Sequence, residues 1–296
     1  MRRAAPKRLG ALAAQLRGGA PLAAAPLGLR AAVRSHSAAA AAAPEEKFRK
    51  DYEPTPFSVP EVSLRFVLGK GEAPTAVTCT LQVVRAAWAG ADAALQLDGE
   101  ELELKAVRLD GAALTAGTDF SVDDAYLTVL PQALPQGAEA SFTLETEVEI
   151  KPHANLQLSG LYKSSGMFCT QCEAEGFRRI AYHYDRPDVM AKYRVRIEAD
   201  AGENPVLLSN GNCIAEGSLP NGGHWSEWED PWPKPSYLFA LVGGDLGVLR
   251  DSFTTMSGRE VALAIYSEHD KIDQCHHSMQ SLKDSMVWDE EKFGLE

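Results

Sequence analysis

Apolar side chains recur at every second position from residue 62 onward. In "PEVSLRFVLGKGEAPTAVTCTLQVV", Val62, Leu64, Phe66 and Leu68 alternate with other residues, and Val77, Cys79, Leu81 and Val83 repeat the pattern. Gly69-Lys70-Gly71 between the two runs is a turn signal. "ELELKAVRLDG", "AYLTVL" and "ASFTLETEVEI" carry the same alternation, and residues 60–150 show no helical period. Period two with one polar face predicts antiparallel strands covering a core on one side, and hence a mainly β sandwich.

The texture changes in "HWSEWEDPWPKPSYLFALVGGDLGVL". Trp225, Trp228 and Trp232 are expected to pack rather than to form a sugar platform. Pro233-Lys234-Pro235 reads as an extended turn, and the apolar run Tyr237 to Val242 as a strand buried on both faces. Beyond Gly243-Gly244, "SFTTMSGREVALAIYSE" predicts a hairpin turning at Ser257-Gly258. A helix is expected from Lys271 to Phe293. Ile272, Cys275, Met279, Leu282 and Met286 fall on one apolar stripe, with Lys283, Asp284, Asp289 and Glu290 largely off it. A helix arriving this late, after so many strands, reads as the start of another domain.

Charge changes the picture at the amino terminus. The formal net charge is −12, yet the first 44 residues hold seven basic residues and no acid, leaving the remainder near −19. So acidic a body excludes nucleic acid and anionic membrane as natural partners, and suits a cationic or amine-bearing ligand. Residues 1–44 are Arg- and Ala-rich and low in complexity, which fits an organelle targeting segment, mitochondrial rather than plastid. No stretch approaches the roughly 20 apolar residues of a membrane span. Five cysteines without a regular framework argue against a disulfide-built secreted domain.

Candidate chemistry concentrates in "MFCTQCEAEGFRRIAYHYDRPD". Cys169-x-x-Cys172 supplies only one pair of metal ligands, and adjacent His276 and His277 point about 100° apart on a helix. No His-Glu-x-x-His, Gly-x-Ser-x-Gly, phosphate loop or dinucleotide fingerprint occurs. If the stretch is extended, Gln171, Glu173 and Glu175 line one face, with the small residues Cys172, Ala174 and Gly176 on the other. An amide with two carboxylates suits either acid/base chemistry or the holding of a protonated amine. Arg178 and Arg179 nearby favour permanently ionised carboxylates, and therefore the amine. A network in which Arg178, Arg179, Asp185 and Arg186 satisfy neighbouring charges is the plain structural alternative.

Three blocks in order, "CTQCEAEGFRRIAYHYDRPDVMAKYRVRIEAD", "WEDPWPKPSYLFALVGGDLGVLRDSFTTMSGREVAL" and "SLKDSMVWDEEKFGLE", resemble the amino-terminal part of the bacterial-type aminopeptidase N family. This is the alanyl aminopeptidase branch of the gluzincin zinc metallopeptidases. The likeness runs from about Tyr52 to Glu296. It implies a saddle-like, mainly β domain over residues 45–245, and residues 246–296 as the opening strands and helix of an incomplete thermolysin-like catalytic domain. It also implies that Gln171 and Glu173 bind the free α-amine of a peptide substrate, with Glu175 in the arginine network. The family's Gly-Ala-Met-Glu-Asn loop, His-Glu-x-x-His helix and third zinc-ligand glutamate are absent from this sequence. The expectation is a substrate anchor without zinc ligands or general base: the front of a zinc aminopeptidase, inactive alone. The alternative is a noncatalytic β module that binds peptide amino termini or a protein partner.

Overall fold

The structure, a computed structural model, describes residues 48–296. The targeting segment expected over residues 1–44 lies outside the described residues. Residues 49–51 form a single 3-10 turn. From Glu53 onward the chain is one compact unit. Strands β1 (Phe57–Val67) and β2 (Thr75–Arg85) make the first hairpin. They are followed by β3 (Leu95–Asp98), β4 (Glu103–Leu109) and the two-residue β5 (Ala112–Ala113). Next come β6 (Phe120–Val122), β7 (Tyr126–Val129) and β8 (Ser141–Ile150). Then β9 (Gly160–Ser164), β10 (Met167–Gln171), β11 (Met190–Asp200) and β12 (Val206–Ser209). The chain goes on through β13 (Asn212–Ser218), β14 (Gly223–Pro235), β15 (Leu241–Gly244), β16 (Gly247–Thr254) and β17 (Glu260–Ser267) to helix α1 (His276–Phe293).

The largest sheet has eight strands in the order β13-β14-β11-β1-β2-β8-β4-β5. A four-stranded sheet, β12-β15-β10-β9, and a three-stranded one, β3-β7-β6, share its core. The alternating residues behave as expected. Val62, Leu64, Phe66 and Leu68, and Val77, Cys79, Leu81 and Val83, are all buried. In the β1–β2 register Leu64 faces Cys79 and Phe66 faces Val77, so two apolar faces coincide. Leu81 then meets Leu144 of β8. A Leu or Phe buried in this way contributes about 1.5–3 kcal/mol. Pro60, which cannot donate to a ladder, sits where the β1–β2 register shifts between Ser58 and Glu61.

One pairing departs from the antiparallel expectation. β1 and β11 run parallel, Leu64 beside Val195 and Phe66 beside Ile197. A parallel neighbour requires a long crossover, and the ladder partners Arg65 and Arg196 are 131 positions apart.

The strand expected over Tyr237 to Val242 is corrected. Strand β14 instead runs through the proline-rich segment to Pro235. Its pairing with β11 jumps between Ala191 and Tyr193, so Pro231 and Pro233 lie where no ladder donor is required. Residues 236–238 then form a 3-10 turn. The Asn210 side chain replaces sheet partners there, donating to the Leu238 carbonyl at 3.0 Å and accepting from the Ala240 N–H at 2.7 Å. Only Leu241–Gly244 joins a sheet. The tryptophans also divide: Trp228 packs on the core, the Arg196 guanidinium lies over the Trp225 ring at 3.9 Å, and Trp232 is exposed.

The β16–β17 hairpin turns at Ser257-Gly258 as expected, with Gly258 at φ 88°. The helix begins at His276 rather than Lys271, after a 3-10 turn over Ile272–Gln274. Met279 is its one buried residue. Lys283 and Glu290 prove to be on the packed side: Lys283 pairs with Asp251 of β16 at 2.7 Å, and Glu290 accepts the Met256 N–H at 2.9 Å. Leu282, expected on the buried stripe, is exposed. Gly294 ends the helix in the left-handed region, its N–H on the Glu290 carbonyl.

Candidate functional site

Strand β10 is delivered by a tight hairpin from β9, in which Ser165 and Gly166 both adopt positive φ. Its last residue, Gln171, pairs with Gly160. There the strand ends. Residues 173–176 form a turn, and Phe177–Arg179 a single 3-10 turn. The extended one-face arrangement of Gln171, Glu173 and Glu175 is therefore corrected. All three are exposed, but on a turn. Of the small residues expected behind them, Cys172 and Gly176 are buried and Ala174 is exposed.

The turn closes on itself. The Gly176 N–H donates to the Cys172 carbonyl at 2.8 Å, and the Gln171 side-chain amide donates to the Glu173 carbonyl at 3.1 Å. The Glu173–Ala174 peptide bond is cis. A Cβ at position 176 would stand 2.4 Å from the Gln171 carbonyl oxygen and 2.9 Å from the Cys172 Cα, so only glycine lets the chain cross there. Phe177 then plugs into the core, in edge contact with His183, Tyr193 and Phe239.

The two arginines beside the turn are already engaged. Arg178 donates from its main-chain N–H and from Nε to the Asp185 carboxylate, each at 3.1 Å. It also lies 3.8 Å from Asp98, 3.9 Å from Glu100 and 3.7 Å from Glu175. Burial opposes its charge, but the Asp185 bond and the charges of Asp98, Asp185 and Glu175 more than offset this and raise its pKa. Arg179 pairs with Glu100 at 3.1 Å and Glu101 at 2.8 Å. Arg186 pairs with Asp188 at 2.8 Å. Glu175 thus belongs to the arginine network, as expected. Among the described residues the Glu173 carboxylate makes no hydrogen bond or ion pair.

Asp98, Glu100, Glu101 and Ser236 were not singled out from the sequence. They come from the end of β3, the β3–β4 connection and the 3-10 turn after β14, far from the anchor turn along the chain, and no local pattern marks them. The described residues of this stretch do not present a zinc site. Burial, aided by the Asp185 charge, pushes the Cys172 thiol up to about 12, so the metal-free thiol stays protonated at neutral pH. Burial also raises the Cys169 pKa, with the Glu268 charge adding to it. No three His, Cys, Asp or Glu side chains converge as a metal site among the described residues. No helix among them is long and apolar enough to cross a membrane.

A mainly β unit that ends one strand in a closed, acid-bearing turn, with a match over residues 59–238 to the Peptidase M1 N-terminal domain, defines the class: the chain belongs to the M1 peptidase family. Within that family it is similar to aminopeptidase N. It is 47% identical over 253 residues to aminopeptidase N of Escherichia coli, covering 86% of this chain and 28% of that protein. To aminopeptidase N of Caulobacter vibrioides it is 51% identical over 246 residues, 83% of this chain and 27% of that protein. The chain therefore spans little more than a quarter of the curated relatives it matches. Among solved structures, Legionella pneumophila aminopeptidase A in complex with aspartic acid superposes with TM-score 0.77 at 34% identity, over 83% of this chain and 28% of that one. An M1 zinc metallopeptidase from Deinococcus radiodurans shares the fold at TM-score 0.60 and 17% identity, over 72% of this chain and 48% of that one.

Proposed function

We propose that this chain is the substrate-anchoring portion of a zinc aminopeptidase that releases single residues from peptide amino termini. On this reading Gln171 and Glu173 hold the free α-amine. The observation that carries it is the Glu173 carboxylate, which is exposed and unpaired on a closed turn while both adjacent arginines are taken up by Asp98, Glu100, Glu101 and Asp185. An acid kept clear of internal cations is available to an incoming ammonium. The aminopeptidase relatives supply the second support, since an amine held at a set distance from the scissile carbonyl limits cleavage to one residue at a time. Zinc would polarise the attacking water. Its ligands and the general base are to come from polypeptide outside these residues, and none of the groups described above takes that role.

A charge-assisted hydrogen bond contributes about 1.5–3 kcal/mol, so the chain should bind alaninamide with a Kd on the order of 10 mM. N-acetylalaninamide should not bind, and Glu173→Gln should weaken alaninamide about tenfold. The chain alone should not hydrolyse aminoacyl anilides with zinc added. In a complete aminopeptidase carrying the same turn, Glu173→Gln should raise KM and leave the zinc content intact. Equal binding of both amides, or loss of zinc in that variant, would refute the anchor.

A further inference from the structure

We propose that Asp185 and Ser236 are positioning residues for the anchor turn and act on it through Arg178; the proposal rests on the reading of Gln171 and Glu173 as the amine anchor. The Asp185 side chain is wholly inaccessible to solvent, and both of its oxygens are used. Oδ1 accepts the Ser236 hydroxyl at 2.6 Å, and Oδ2 accepts the Arg178 main-chain N–H and Nε. Its main chain is tied as well. The Asp185 N–H donates to Asp98 at 2.9 Å, and its carbonyl accepts from Arg178 at 3.3 Å. One residue therefore joins three places: its carboxylate holds the 3-10 turn after the anchor and the chain leaving β14, and its main-chain N–H holds the end of β3.

The anchor turn meets this joint at its far end, where the Glu100 N–H also holds the Arg178 carbonyl at 2.9 Å and Arg179 pairs with Glu100 and Glu101. Before it stands Gln171, fixed in β10. After it stand Gly176, bonded to the Cys172 carbonyl, and Arg178 two residues on. Between those ends Glu173, Ala174 and Glu175 are exposed, and the one ion pair among them is Glu175 to Arg178 at 3.7 Å. Phe177 holds the chain by packing, but a ring in the core does not fix the angle at which the turn leaves it. The two hydrogen bonds from Arg178 to one buried oxygen do. Ser236 is 51 residues from Asp185, and its hydroxyl reaches the turn through this carboxylate; its carbonyl also accepts the Phe239 N–H at 3.0 Å, and Phe239 packs on Phe177.

The mild variant Ser236→Ala in the 296-residue chain tests the clamp by hydrogen-exchange mass spectrometry. Losing one hydrogen bond should speed exchange in peptides covering residues 172–180 about fivefold and leave peptides from β1 and β2 unchanged. The alaninamide Kd should rise by a similar factor, and Ser236→Thr, which keeps the hydroxyl, should restore both. Asp185→Asn should act in the same places more strongly. Unchanged exchange at 172–180, or a rise spread evenly over β1 and β2, would overturn the proposal, because the carboxylate would then be an ordinary core contact. If the wild-type chain fails to bind alaninamide, the anchor reading fails, while the localised exchange change still decides whether the clamp exists.

Discussion

His183 should make the fold lose stability as pH falls from 7 to 5. The ring is fully buried, with Phe177 in edge contact, and neither nitrogen has a hydrogen-bond partner of adequate geometry. Burial is the main cause that lowers its pKa to about 4, against opposing help from the Asp185 charge and the Tyr184 main chain. In the unfolded chain a histidine titrates near 6.5. Between those values the unfolded state binds a proton that the folded state refuses, so stability is complete above about pH 6.5 and declines towards pH 4. The total is about 3 kcal/mol, of which about 2 kcal/mol falls between pH 7 and 5. Urea unfolding at pH 7, 6 and 5 measures it. With a slope near 3 kcal/mol/M, the midpoint should drop by roughly 0.7 M from this one group. Other groups titrate as well, so the decisive quantity is the difference from His183→Leu. That variant replaces two unpartnered nitrogens by carbon and should remove the contribution. Parallel stability–pH curves for the two proteins would refute the reasoning.

Two further outcomes are expected. Gly176→Ala forces its new methyl against the Gln171 carbonyl and the Cys172 Cα, so the variant should lose about 1–3 kcal/mol and bind alaninamide more weakly, as melting and titration together would show. Thiol labelling at pH 8 should modify exposed Cys213 first, while Cys79 and Cys172, both buried and pushed up to about 12, should react only as the chain unfolds.

The sheet was legible where one face of a strand meets the core and the other meets water. Val62 to Leu68 and Val77 to Val83 each carry that record in their own alternation. The parallel neighbour of β1 left no such trace, because Lys192 to Glu198 alternates equally well beside an antiparallel partner. Around the anchor, residue types suggested an amide and carboxylates facing together. Nothing in "QCEAEG" marks where the strand stops except Gly176, whose reason is a contact with Gln171 and Cys172 rather than a local preference. The partners of Arg178 and Arg179 lie some 80 residues earlier, or, through Asp185, at Ser236. Long-range ion pairs are chosen by the fold, so charge counts alone could not assign them. Proline misled in the opposite sense: Pro233-Lys234-Pro235 read as an extended turn, yet β14 runs through to Pro235 and a jump in register absorbs Pro233.

The parallel β1–β11 pairing also has a consequence during synthesis. β2 and β8 can complete one side of β1 early. Its other edge waits for a strand in which Arg196, the partner of Arg65, follows it by 131 positions. At 5–20 residues per second that interval is on the order of ten seconds. For that time the nascent chain presents an unpaired edge with Val62, Leu64 and Phe66 behind it, the kind of surface to which chaperones bind and at which neighbouring nascent chains can join.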